Sequence, residues 1–205
     1  ANIEVLYPMS FGTVASITYM QEFLRAFLES HTKGNLKGAE FLVALPTDVQ
    51  DRVFTTLVQG TGLKSKNIQL IDKPVAAGLG LGLDVTQAQG VMLVDVGADT
   101  TEISILSLGG TVTSKLIKTG GNKLDEAISS AIRREYGYFI GNKTAEILKN
   151  ELGYMPGNTE AKREICGRNM VVGLPQMMEI TSEFVYDAIQ EQLSVIMDAV
   201  KTILE

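Results

Sequence analysis

The segment LVDVGADTTEISIL, residues 93–106, holds the residue types that can cradle a polyphosphate. An acidic residue, Asp95, lies near the end of an apolar run, Gly97 follows, and two threonines open the next run. A turn of this make-up aims backbone N–H groups at an anion. Gly97 lets the main chain approach without a Cβ in the way, and Thr100 and Thr101 add hydroxyl donors. Asp95 would then hold a metal-bound water. Taken alone, the same residues read first as a plain hairpin turn with a solvated Asp and Thr pair, because short glycine turns are common.

Composition narrows the functions such a turn can serve. The 205 residues are 45% hydrophobic with a net charge of −6, enough to bury one sizeable core or two small ones. The absence of a dense Lys/Arg run argues against a nucleic-acid partner, which needs clustered cations to displace counterions. A lone cysteine, Cys166, cannot form an internal disulfide, and no signal peptide is evident, so a reducing cytoplasm is the expected compartment. The single His31 excludes a multi-histidine metal site and reads instead as a cation at the end of the first helix. No apolar run approaches the roughly 20 residues that span a bilayer.

The elements that must position the turn follow from apolar spacing. After the extended IEVLYPMSFGTV, Ile17, Met20, Phe23, Leu24, Phe27 and Leu28 recur at helical period from Ser16 to about Ser30. AEFLVALP reads as a strand buried on both faces, followed by a helix capped by Thr47 or Asp48, then by the strand IQLIDKP and an Ala/Gly-rich helix. This order is a parallel α/β unit. GVMLVDVG, TTEISILSL and GTVTSKLIKT then read as a meander turning at 97–99 and at Gly109-Gly110. Helices are expected over Asn122–Tyr136 and Lys143–Leu152, two strands with a turn near 167–169, and a last helix from Thr181 or Ser182 to Leu204. Met170, Met177 and Met178 are expected in the core, and Cys166 as a small buried hydrophobe.

The run LVDVGADTTEISILSLGGTVTSKLIKTGGNKLDEAI resembles the second phosphate motif, hairpin and glycine pair of the MreB family of bacterial actin-like proteins. VLYPMSFGTV, LVALPTDVQDR and LIDKPVAAGLGLGL upstream, and RREYGYFIGNKTAEILKNELG downstream, match that family in the same order. The resemblance implies an incomplete actin-like ATPase (ribonuclease H-like) α/β fold. Residues 1–88 would be part of a first domain (IA), and 89–205 a second (IIA) with IIB inserted at about 122–180. It implies that Gly97, Ala98, Asp99, Thr100 and Thr101 face the phosphates of ATP, and that Asp95 orders Mg2+ through water. Gly120 and Gly121 would face the nucleotide, and Glu146 and Lys149 would line the adenosine pocket. Read without the family, Glu146 and Lys149 form a solvent-exposed ion pair.

Two departures bear on chemistry. Gly97-Ala98-Asp99 stands where the family has three glycines, so Asp99 either repels phosphate or points away. Lys73 stands where the family has the acid that positions the attacking water, and a charged lysine cannot accept that proton. Read alone, Lys73 is an exposed cation at a strand end. The implied function is a cytoplasmic, nucleotide-dependent filament subunit in cell-shape determination that associates with itself and with cell-shape or division proteins, this piece binding ATP weakly without hydrolysis. Membrane association belongs to the intact protein, and the loop at 31–40 offers only Leu36 for membrane contact. The alternatives are an FtsA-like or DnaK-like ATPase that regulates partners, and a catalytically dead adaptor of the same fold.

Overall fold

The computed structural model describes residues 3–32, 40–47, 51–62, 68–153 and 161–205. The chain divides into two compact units, Ala1–Val94 with Glu102–Leu116, and Asp95–Thr101 with Ile117–Glu205. Asp48 and Leu36, named above as a cap and a loop residue, lie outside the described residues.

In the first unit, Met9–Ser10 (β1) pairs with Thr13–Val14 (β2) across a tight turn at Phe11 and Gly12. Ile17–His31 (α1) starts at Ser16, whose hydroxyl accepts the Tyr19 N–H, and His31 closes it with Nδ1 2.8 Å from the Phe27 carbonyl. The apolar stripe of α1 divides. Met20 enters a core with Leu45, Phe54 and Leu57, whereas Phe23 and Phe27 stay half-exposed and stack on each other.

Phe41–Leu45 (β3) and Ile68–Asp72 (β4) pair in parallel, Phe41 opposite Ile68 and Leu45 opposite Asp72, with Asp51–Gly60 (α2) between them in sequence. Neither strand is buried on both faces as expected, since Leu42 and Leu70 are exposed. Lys73–Gly80 (α3) begins directly after β4, with Pro74 in its first turn, where a missing N–H costs nothing. Lys73 is therefore the first residue of a helix, not a strand end.

Val91–Val96 (β5), Thr101–Ser107 (β6) and Gly110–Ile117 (β7) form a sheet in the order β5-β6-β7, and the central β6 is almost wholly buried. The β6–β7 turn sits at Leu108 and Gly109, both at positive φ, the geometry that suits the twist of a two-residue hairpin. Both units draw on this meander: Val91–Val94 and Glu102–Leu116 group with the first, Asp95–Thr101 with the second.

The second unit continues with Gly121–Tyr136 (α4), Tyr138–Phe139 (β8), Asn142–Leu152 (α5), Lys162–Asn169 (β9), Pro175–Thr181 (β10) and Ser182–Leu204 (α6). Its sheet runs β10-β9-β8, antiparallel. Ile128, Ile132, Leu148, Ile165, Ile180 and Val185 form the centre of its core. Thr181 caps α6 by accepting the Phe184 N–H at 3.2 Å.

The hairpin turn expected at 167–169 lies after β9 instead, at 170–174. Gly167 is a mid-strand residue, and a Cβ there would come within 2.8 Å of Met178 Cε and 3.2 Å of Tyr138 Cβ. Close packing, not a turn, is what favours a small residue at that position. The two-residue period of β9 also sends Ile165 inward and Cys166 outward, so the cysteine is exposed rather than buried. Of the three methionines only Met178 packs on the core; Met170 and Met177 are exposed.

Candidate functional site

The turn after β5 is built on the glycine pair that precedes α4. Gly97 N–H donates to the Thr100 carbonyl at 2.9 Å and closes the turn. The carbonyls of Gly97 and Ala98 then accept the N–H groups of Gly121 (2.9 Å) and Asn122 (2.8 Å), the first two of α4. This approach needs a glycine at 120, because a Cβ there would lie 2.6 Å from the Gly97 oxygen and 2.7 Å from that of Ala98. The leading N–H groups of α4 are thus spent on the turn. Among the described residues, the N–H groups of Ala98 and Thr100 donate to no backbone carbonyl. They are the donors this turn can offer to an anion.

Side chains complete the turn differently from expectation. The Thr101 hydroxyl is buried and donates to the Thr119 carbonyl at 2.7 Å, so its proton goes to the protein and the donor role read from the threonine pair falls to Thr100. Asp99 is held at Oδ1 by Asn122 Nδ2 at 2.7 Å, which fixes its carboxylate toward the start of α4.

Glu146 and Lys149 lie on α5 but do not form the exposed pair that their spacing suggests. Lys149 Nζ sits 2.9 Å from Asp125 Oδ1 and donates to the Gly121 carbonyl at 3.1 Å, with Asp125 buried. The ammonium thereby braces α5 against the start of α4. Glu146 pairs with Lys143 at 2.7 Å, and the hydrogen bond from that ammonium, with its charge, holds the Glu146 carboxyl below the usual glutamate range.

In the first unit, Lys73 faces Glu102, its Nζ 3.7 Å from Oε2. Glu102 is only 3% exposed. Its Oε1 accepts both the Thr47 N–H (3.1 Å) and the Thr47 hydroxyl (2.5 Å), while Oε2 accepts no hydrogen bond. Oε2 thus depends on the Lys73 charge for compensation. Sequence reasoning missed Glu102, Asp125 and Asn122. The one charged side chain in TTEISIL was a signal for the first; the other two follow the glycine pair in GGNKLD.

The turn fits a phosphate group: it offers undonated backbone N–H groups, a threonine hydroxyl and a close glycine approach. Asp95, next to the end of β5, is the carboxylate that would hold Mg2+ through water, the one-carboxylate manner in which Mg2+ accompanies nucleotides. Among the described residues no three His, Cys, Asp or Glu side chains gather for a metal.

Comparison with known proteins gives one consistent answer. The MreB/Mbl protein family model matches residues 1–205. Cell shape-determining protein MreB of Escherichia coli strain K12 is 37% identical over 210 residues, covering 100% of this chain and 60% of that protein. Cell shape-determining protein Mbl of Bacillus subtilis strain 168 is 33% identical over 209 residues, covering 100% and 62%. The chain thus spans about 60% of the length of the first of these relatives. The crystal structure of MreB5 of Spiroplasma citri bound to ADP superimposes with a TM-score of 0.89 at 30% identity, over 97% of this chain and 60% of that one. The MamK double helical filament matches at a TM-score of 0.75 and 19% identity, a likeness of fold.

Proposed function

This chain belongs to the MreB/Mbl family and has its actin-like α/β fold, and from that premise we propose that it is the phosphate-holding part of a nucleotide-responsive filament subunit acting in cell-shape determination. The observation that carries the reading is the turn at 97–100 seated on Gly120 and Gly121, with the Ala98 and Thr100 N–H groups left for an anion. The S. citri relative, bound to ADP in one structure and to AMPPNP in another, supports it. The family match favours a filament subunit over a division-type or chaperone ATPase. Cytoplasmic placement, self-association into filaments, and the assignment of 1–88 to IA and 89–205 to IIA and IIB belong to the same proposal.

In this reading the Ala98 and Thr100 N–H groups hold the phosphates, Gly120 and Gly121 seat the turn that presents them, and Asp95 orders the water shell of Mg2+. Bound Mg2+ would neutralise the phosphate charge. Lys149, paired with Asp125, secures the Gly121 backbone by donating to its carbonyl. Lys73, tied to Glu102, offers no carboxylate to accept a proton from a water, so no measurable turnover is expected; weak nucleotide binding is part of the same proposal.

Calorimetry with Mg-ATP and a phosphate-release assay against Lys73→Glu test the chain. Weak binding with no release is expected. No binding sinks the nucleotide assignment, and release above that of Lys73→Glu sinks the claim of no turnover. Light scattering of the full-length protein should rise with ATP, and a flat trace would remove the filament assignment.

A further inference from the structure

Asp99 stands between the two anion donors of the turn, with Ala98 before it and Thr100 after it. Gly97 N–H closes the turn on the Thr100 carbonyl, and the carbonyls of Gly97 and Ala98 receive the first N–H groups of α4. The N–H groups of residues 98 and 100 are what the turn presents outward, and an acidic side chain is built between them.

The repulsion between this carboxylate and a bound phosphate follows from covalent geometry, whichever way the side chain points. Asp99 Cγ is a few bonds from the Thr100 nitrogen, so an anion accepting from that N–H at about 3 Å places its charge within about 8 Å of the carboxylate. That separation does not exceed the screening length at physiological ionic strength. The side chain is also held. Asn122 Nδ2 donates to Asp99 Oδ1 at 2.7 Å, while the Asn122 N–H donates to the Ala98 carbonyl at 2.8 Å, so one residue clasps two successive residues of the turn. A neutral amide orients a carboxylate without cancelling its charge.

Coulomb energy scales with the product of the charges. A fixed carboxylate at this place therefore penalises a ligand in proportion to the negative charge it brings. Metal-free ATP is penalised most, metal-free ADP next, and the Mg2+ complexes of both least. In a part-exposed turn at this distance, each unit of ligand charge changes affinity roughly threefold.

We propose, resting on the phosphate reading above, that Asp99 is a specificity-determining residue that makes the turn select metal-complexed nucleotide over metal-free nucleotide. The N–H groups at 98 and 100 attract phosphate, and the carboxylate at 99 sets how much net charge is accepted with it.

Asp99→Asn tests this, because it removes the charge and keeps an Oδ1 acceptor for Asn122. The chain and the variant are titrated calorimetrically at matched ionic strength with ATP and ADP, in EDTA and as their Mg2+ complexes. Comparing the same ligand between the two proteins cancels the contribution of Asp95, which both contain. The variant should gain affinity in the order of ligand charge, the gain for metal-free ATP being about tenfold larger than that for Mg-ATP, and this difference should shrink as salt is raised. Asp99→Gly, which removes charge and side chain together, should show the same order. Equal gains for every ligand form, no gain, or a difference indifferent to salt would overturn the assignment of Asp99. If neither protein binds Mg-ATP, the phosphate reading falls and the role of Asp99 falls with it; if both bind Mg-ATP and the gains are equal, only the role of Asp99 falls.

Discussion

Lys73 and Glu102 show how one residue type redirects a site. Glu102 is nearly sealed from solvent, and Lys73 provides the opposite charge. Lys73→Glu removes that charge and sets a second carboxylate beside a buried one, a costly change even after discounting for the part-exposed lysine. A loss of roughly 2 kcal/mol in urea unfolding is expected. Lys73→Glu/Glu102→Gln should recover most of it, because only one of the two positions then carries charge. Equal stability of Lys73→Glu and the parent would show that the pair contributes nothing. Lys73 was visible in the sequence as a departure from the family, but its pairing with Glu102, 29 positions later in the chain, was not. A register that sets a strand residue beside a helix start is a tertiary fact, and no local pattern announces it.

At the level of elements, the legible features were those with strong periodicity and local caps. The α1 start at Ser16, the α6 start at Thr181, and the β5-β6-β7 meander followed from spacing and turn residues alone. Gly167 misled because glycine signals either a turn or a tight contact, and only the Met178 and Tyr138 side chains distinguish them. Gly120 is also a contact glycine. Gly120→Ala would push a methyl against two carbonyl oxygens of main chain, which cannot swing aside as a side chain can. It should lower stability by about 1–3 kcal/mol, as overpacking does, and remove Mg-ATP binding. Calorimetry and a thermal melt read the two effects separately. By contrast, Thr181→Ala should cost about 1 kcal/mol through the lost cap on α6 and leave nucleotide binding as it was.

At the scale of the whole second unit, α4 is fastened at both ends. Its first N–H groups are held by the Gly97 and Ala98 carbonyls, and the Gly137 carbonyl just past its end takes the Met170 N–H at the root of the hairpin tip. Its 16 residues make a rod of about 24 Å. A stiff rod gripped at the cradle and at the tip cannot be tugged at one end and stay still at the other.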